Sequence, residues 1–118
     1  MRNYYYPHTD TPYKDSTTIK EAGELEVALI KKWESHIGKG WYGFALGMVP
    51  LSWLHVIDEF LDYLVNIDPK MEIQQLKKKY GGIRFYVHVN GKDEEENEFI
   101  QLQIDELERT LYDEKLIY

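Results

Sequence analysis

A strict alternation of apolar and polar residues follows a glycine pair in the last third of the chain. The apolar members are Ile83, Phe85, Val87 and Val89, and the polar members are Arg84, Tyr86 and His88. A period of two residues is typical of a strand with one buried and one exposed face. Gly81 and Gly82 allow a tight reversal before this strand, and we expect a positive φ at one of them. Residues 75–89 therefore predict a hairpin or kinked strand pair whose outer face carries Lys77, Lys79, Arg84 and Tyr86.

The same segment resembles a protein family. Residues 77–86 read K-K-K-Y-G-G-I-R-F-Y, and this run is similar to the signature K-x-K-(F/Y)-G-(G/T)-(I/L)-R-(F/Y)-Y of small uncharacterised proteins in phages, prophages and bacterial genomes. Members of that family place a Gly-Trp segment and a helix upstream, as Gly40-Trp41 and residues 53–65 do here. Many members continue into a cysteine-rich tail that suggests zinc, which this chain lacks. The resemblance implies a phage or prophage origin more than an activity.

Length and composition predict one folded domain without disulfides. The chain has 118 residues, of which 43% are hydrophobic and 14% aromatic, enough to bury a core. Because cysteine is absent, thiol catalysis and zinc–thiolate sites are excluded. No apolar run reaches the roughly 18 residues of a transmembrane helix, and residues 1–7 lack the apolar centre of a signal peptide. We therefore expect a cytoplasmic protein with no membrane partner.

The charges are unevenly distributed along the chain. The formal net charge of −7 argues against general nucleic-acid binding. Residues 69–92 hold six basic side chains and one acidic one, whereas residues 93–118 hold ten acidic and two basic ones. One interpretation is that an acidic terminal helix packs beside the basic hairpin and partly neutralises it. The other is two separate patches, of which the acidic one faces a basic partner.

Two helices are predicted before the hairpin. Thr18 and Glu21 have the spacing of a capping box, with Ser16 and Thr17 as alternative caps. The apolar stripe that follows consists of Ala22, Leu25, Leu29, Trp33 and Ile37, and it ends at Gly38. Pro50 can open the second helix, which residues 66–69 end. Its apolar face consists of Trp53, Ile57, Phe60, Leu61 and Leu64.

Two segments fit both helix and strand. In residues 71–79, Met71 and Ile73 alternate, yet Ile73, Leu76 and Tyr80 also have helical spacing; we favour a strand because a glycine pair and a strand follow. In the terminal segment, the alternation consists of Ile100, Leu102 and Ile104, whereas the helical stripe consists of Ile100, Ile104, Leu107 and Leu111. The acidic run 93–98 suits the positive end of a helix dipole. We therefore predict a helix from about Glu95 to Glu114.

These elements predict an α+β fold: two helices, a β-hairpin and a C-terminal helix, with the helices packed on one face of a small antiparallel sheet. Residues 1–15 form an irregular N-terminal arm that can add an edge strand, and 16–118 form a single α+β domain. Residues 38–49 are predicted as a glycine-spaced aromatic loop. The residues expected to be mutually buried in the core are Trp33, Ile57, Leu61, Phe85 and Val87.

Catalytic, cofactor and metal motifs are weak. Residues 38–43 match G-x-G-x-x-G, but they follow a helix and Trp41 and Tyr42 crowd the turn, so we predict no dinucleotide site. One helix face carries His55, Asp58, Glu59 and Asp62, which we interpret as a solvated face more than a metal site. None of the three serines lies in a G-x-S-x-G elbow. We expect no enzyme, no catalytic residues, no cofactor and no metal.

For function, we expect a small acidic phage- or prophage-type accessory protein that binds another protein. Inhibition of a host enzyme that handles nucleic acid, or of a defence enzyme, is one form of this hypothesis, because an acidic surface can imitate phosphate charge. An immunity protein that neutralises a toxin is an alternative with similar size and acidity. A nucleic-acid-binding module that uses the basic hairpin 75–89 is a second alternative, and a metal hydrolase is a distant third. The expected partner-binding residues are Asp105, Glu106 and Glu108 on the acidic helix, and Lys77, Lys79, Arg84 and Tyr86 on the hairpin. The sequence leaves the partner and the oligomeric state open.

Overall fold

Three helices and three strands make up the described part of the protein. The computed structural model describes residues 16–38, 43–46, 49 and 51–112, so the predicted arm 1–15 lies outside it. In chain order the elements are α1 (Ser16–Trp33), a 3-10 turn (Glu34–His36), β1 (Gly43–Ala45), α2 (Leu51–Ile67), β2 (Glu72–Lys79), β3 (Gly82–His88) and α3 (Glu94–Thr110). The predicted α+β fold with a central hairpin and a terminal helix is confirmed.

The sheet has the order β1-β2-β3, with β2 in the centre. Strands β2 and β3 pair antiparallel, as predicted, whereas β1 pairs parallel with β2. The prediction of an aromatic loop over 38–49 was therefore wrong for Gly43–Ala45. Three residues are too few to show a period of two, and their partners lie across α2 in the chain, so only tertiary pairing reveals this strand.

The hairpin turn consists of Tyr80 and Gly81, between the paired residues Lys79 and Gly82. The φ of Gly81 is 83°, so the expected positive φ is confirmed, and Tyr80 also has a positive φ of 45°. Positive φ at both central residues is the geometry of a type I′ turn, which matches the twist of the two strands. The second glycine, Gly82, lies beside the residue that follows α3, and a Cβ on it would be in ordinary van der Waals contact with the carbonyl oxygen of Leu111 at 3.4 Å.

A β-bulge explains why residues 71–79 also fit a helix. Ile73 pairs with Val87 and Gln75 pairs with Tyr86, so one extra residue, Gln74, lies between these two pairs. A bulge shifts the alternation by one position. Ile73 and Leu76 are consequently both buried although they are three residues apart. The segment is a strand, as predicted, and its helical spacing comes from this bulge.

The core lies between the inner face of the sheet and the helices. Phe60 of α2 contacts Phe85 of β3 with ring centroids 5.5 Å apart and planes at 69°, an edge-to-face geometry that aromatic pairs favour. Four of the five predicted core residues are buried, while Val87 is half-buried against the core. The other buried core side chains are Leu29, Leu46, Val49, Trp53, Leu54, Phe60, Leu64, Met71, Ile73, Leu76, Ile83, Ile100, Ile104, Leu107 and Leu111.

The start of α3 is held by its acidic run. The carboxylate of Asp93 accepts a hydrogen bond from the backbone N–H of Glu96 at 2.8 Å, as an N-cap residue does. The carboxylate of Glu96 in turn accepts from the N–H of Lys92 at 2.8 Å. The helix therefore begins at Glu94, one residue before the predicted position, and it ends at Thr110. The predicted end near Glu114 was wrong, because the backbone leaves the helical conformation at Leu111, where φ is −85° and ψ is 74°.

We predict that Phe85→Ala lowers the free energy of unfolding by about 3–5 kcal/mol, because it removes a buried ring and its contact with Phe60. Urea titration measures this change. Tyr86→Ala is the matched control, since the neighbouring ring lies on the exposed face, and its cost should stay below about 1 kcal/mol. A larger loss for Tyr86→Ala than for Phe85→Ala would mean that the two faces of β3 are reversed.

We also predict that Tyr80→Asn raises the free energy of unfolding by about 0.5–1 kcal/mol, because asparagine adopts positive φ more readily than tyrosine. Little burial is lost, since Tyr80 is 74% exposed. Gly81→Ala should instead lower the free energy of unfolding by about 1 kcal/mol, because it places a Cβ on a residue with positive φ. Equal effects of the two substitutions in urea titrations would contradict the type I′ turn.

Candidate functional site

The outer face of the hairpin brings together four residues that the sequence predicted as partner-binding. Lys77 lies directly opposite Arg84, Tyr86 lies opposite Gln75, and Lys79 is next to the turn. Because the inner face holds Leu76 and Phe85, the neighbouring side chains must point to the other side of the sheet. We call Lys77, Lys79, Arg84 and Tyr86 the basic face.

The charges of the basic face are not neutralised by close ion pairs within the described residues. No ion pair within 4 Å joins Lys77, Lys79 or Arg84 to another described side chain. The ion pairs among the described residues all lie within or between the three helices. The guanidinium carbon of Arg84 instead lies 5.4 Å from the centre of the Tyr86 ring, a cation–π contact. The basic face therefore presents cations and an aromatic ring to solvent.

A second charged surface runs along α3. Glu98, Leu102, Asp105, Glu106 and Arg109 recur at helical spacing on its exposed side, and we call them the acidic face. Glu106 forms an ion pair with Arg109, and Asp105 accepts a hydrogen bond from Gln101 at 2.9 Å. Leu102 is 66% exposed amid these carboxylates. The sequence analysis did not predict Leu102 as a contact residue. Its position outside the apolar stripe of Ile100 and Ile104 could have indicated that its side chain is exposed.

Glu108, predicted as a partner-binding residue with Asp105 and Glu106, makes a structural contact. Its carboxylate oxygen Oε2 accepts a hydrogen bond from the backbone N–H of Phe85 at 2.8 Å. Strand β3 is at the edge of the sheet, and an unpaired edge N–H invites pairing with another chain. Glu108 satisfies this donor and ties α3 to the sheet. It is half-buried and does not belong to the exposed acidic face.

The environment of Glu108 raises the pKa of its carboxyl group. Burial is the largest cause, and the negative charge of Asp105 adds to it, whereas the Phe85 N–H and the charge of Arg84 favour the ionised form. A raised pKa means that the folded state binds the proton more tightly than the unfolded chain. The contribution of Glu108 to stability is thus fully present below the unfolded pKa and is lost as the pH rises through the folded pKa.

The acidic helix packs beside the hairpin, and the charges of Glu108 and Arg84 attract each other across this contact. Contacts join α3 to β3, as the first interpretation of the charge pattern expected. Within the described part of the chain, however, no ion pair connects the two. The exposed basic and acidic faces are thus distinct surfaces, whereas Glu108 and Arg84 partly offset each other, as the first interpretation expected. That the acidic face meets a basic partner stays a prediction.

The carboxylates of α2 are divided between a helix contact and solvent. Asp58 accepts hydrogen bonds from Lys32 Nζ at 2.8 Å and from the Trp33 indole at 2.9 Å. Asp62 lies 3.4 Å from the same Lys32 nitrogen, while His55 and Glu59 are exposed. Asp58 and Asp62 thus hold α1 against α2. Across the described ranges no group of three or more histidines or carboxylates is placed to hold a metal ion.

A polar pocket of about 300 Å³ lies between the 3-10 turn and the start of β2. It is lined by Ser35, His36, Ile37, Pro69, Lys70, Met71 and Glu72. The Nδ1 atom of His36 lies 2.7 Å from the carbonyl oxygen of Met71, so this nitrogen carries the proton and donates it. His36 therefore connects the turn to β2. Gly38 packs here as well, because a Cβ on it would lie 2.6 Å from the Glu72 carboxylate.

No family model, curated protein or solved structure matches the chain. The resemblance of residues 77–86 to the phage and prophage family stays a prediction. None of the helices among the described residues has the length and apolar character needed to cross a membrane.

We predict that Glu108→Gln removes a pH dependence of stability. Glutamine keeps an oxygen acceptor for the Phe85 N–H but does not titrate. Relative to this variant, the parent protein should lose stability as the pH rises from near 4.5 through the raised pKa of Glu108. Urea midpoints of both proteins across this range measure the difference.

Glu59→Gln, which removes an exposed carboxylate from α2, controls for the change in net charge. A stability difference between Glu108→Gln and the parent that is constant with pH would contradict the assignment. A difference that changes in the opposite direction would contradict it as well.

Proposed function

We propose that this protein acts by binding a basic surface of another protein through the acidic face of α3. The role is binding and not catalysis, and the place of action is the cytoplasm. The observation that carries the proposal is the exposed side chain of Leu102, with Glu98, Asp105 and Glu106 around it.

The acidic face has the composition of a protein contact. An apolar side chain that loses its water on binding contributes affinity, whereas charges around it select a complementary partner and speed the encounter. Helix α3 carries seven acidic residues and one basic residue, so its field attracts a positively charged surface. A partner with a shallow apolar pocket amid lysines or arginines fits this arrangement.

Proteins that handle nucleic acids present such basic surfaces, because they neutralise phosphates. A row of carboxylates on a helix can occupy these surfaces in place of the phosphates. We therefore favour inhibition of a host enzyme that handles nucleic acid or acts in defence, a role that suits the phage or prophage origin implied by the resemblance. Neutralisation of a toxin by an immunity protein uses the same chemistry and is the alternative.

We predict that the double charge reversal Asp105→Lys/Glu106→Lys slows association with the cellular partner. Long-range attraction acts mainly on the encounter, so the association rate should fall more than the dissociation rate rises, and added salt should shrink the difference. Leu102→Ser should raise the dissociation rate, because it removes apolar contact area from the complex. Affinity capture with the parent protein identifies the partner, and surface plasmon resonance at two salt concentrations gives the rates.

The matched control is Glu21→Lys/Glu59→Lys, which makes the same change in net charge at exposed positions of α1 and α2. It should leave the association rate within about threefold of the parent value. All variants should keep the stability of the parent, because exposed charges contribute little individually. If the Asp105/Glu106 variant captures the same partners at the parent rate in low salt, the acidic face is not the contact.

A further inference from the structure

The basic face contains a pairing of like charges that costs stability. Lys77 and Arg84 are direct cross-strand partners on the exposed side of the sheet. Like charges in this position repel each other and destabilise a hairpin. Lys79 lies two residues from Lys77 on the same strand and face, so a third positive charge lies roughly 7 Å away. The described part of the chain provides no ion pair that offsets these three charges.

Aromatic rings accompany these cations. Tyr86 is 46% exposed and lies beside Arg84, with the guanidinium over its ring. Tyr80 is 74% exposed at the tip of the hairpin and is held at a φ of 45°. A bulky residue at positive φ is strained, and glycine or asparagine is the usual choice in a type I′ turn. Backbone strain that supports an exposed ring is typical of a functional position.

We propose that the basic face binds single-stranded nucleic acid, with Lys77, Lys79 and Arg84 on the phosphates and Tyr86 and Tyr80 stacked on bases. Cations that follow a backbone, combined with rings that stack on any base, are the two components of single-strand recognition. An acidic peptide would use the cations but would leave both exposed rings without a role. This activity is separate from the protein contact proposed for the acidic face.

The net charge of −7 is compatible with this site because the negative charge is localised. The acidic face lies on α3, which contacts the edge strand and the inner side of the sheet, and it is not part of the outer face. The negative charge of α3 repels the nucleic acid. This repulsion lowers the affinity of the protein for the nucleic acid and confines the bound single strand to the hairpin. With three phosphate contacts, the logarithm of the binding constant should fall with the logarithm of salt concentration with a slope of about −2.

The experiment uses the full chain and a fluorescein-labelled thymidine oligonucleotide of about 12 nucleotides, with anisotropy read at several low salt concentrations. The parent protein should bind with the slope given above. Lys77→Gln/Arg84→Gln should weaken binding about tenfold or more at low salt and change the slope to about −0.7, because one phosphate contact remains. Tyr86→Ala should weaken binding by roughly fivefold or more while the slope stays unchanged.

Two controls separate this site from general charge effects and from the acidic face. Lys31→Gln/Lys92→Gln removes two exposed positive charges outside the basic face, and it should change affinity by less than about threefold. Asp105→Lys/Glu106→Lys should bind the oligonucleotide at least as tightly as the parent, although it impairs the protein contact. A thermal melt of Lys77→Gln/Arg84→Gln should show a midpoint close to that of the parent, because removal of the repulsive pair offsets the loss of the contact between Arg84 and Tyr86.

Three outcomes would overturn the proposal. The first is no change in anisotropy for the parent protein at the lowest salt concentration. The second is equal weakening by Lys77→Gln/Arg84→Gln and by the control Lys31→Gln/Lys92→Gln. The third is equally tight binding of a labelled polyglutamate peptide together with no effect of Tyr86→Ala, which would assign the basic face to an acidic protein segment instead.

Discussion

The contact between the rings of Phe60 and Phe85 determines the arrangement of the rest of the structure. It holds the inner face of the hairpin against α2, with the ring centroids 5.5 Å apart. Because successive residues of a strand point to opposite faces, burial of Phe85 places Arg84 and Tyr86 on the outer face. Burial of Leu76, the cross-strand partner of Phe85, places Lys77 outward in the same way. The basic face is thus a geometric consequence of core packing.

Helix α3 has two sides with different roles: one side packs against the core and the sheet, and the other is exposed to solvent. One side contributes Ile104 and Leu107 to the core and the carboxylate of Glu108 to the backbone N–H of Phe85. This hydrogen bond satisfies an edge donor of β3 and so protects the sheet from pairing with other chains. The opposite side presents the acidic face to solvent. The structural role of Glu108 and the binding role proposed for Asp105 and Glu106 can therefore be separated by mutation.

Two surfaces of opposite charge on one small domain suggest a way for its two proposed activities to be combined. The basic face lies on the outer side of the sheet and the acidic face lies along α3, and no ion pair joins them within the described residues. In the two proposed roles taken together, the acidic face contacts a partner that handles nucleic acid while the hairpin holds a nearby single strand. Long-range attraction at each surface would act on a different molecule.

The sequence by itself determined the elements whose signals are local. The stripe of α2, the alternation of β3, the acidic start of α3 and the positive φ of Gly81 all depend on residues close together in the chain. Tertiary structure alone decided the parallel pairing of β1 with β2. The helix α2 separates the two strands in the chain, and the three residues of β1 are too few to show the two-residue period of a strand. Tertiary structure also decided the bulge at Gln74. Ile73 and Leu76 are buried three positions apart, which is helical spacing, and only the pairing of β2 with β3 shows that they belong to a bulged strand. Finally, the sequence placed Glu108 among the exposed carboxylates of an acidic helix, but only the packing of α3 beside β3 showed that it binds a backbone donor.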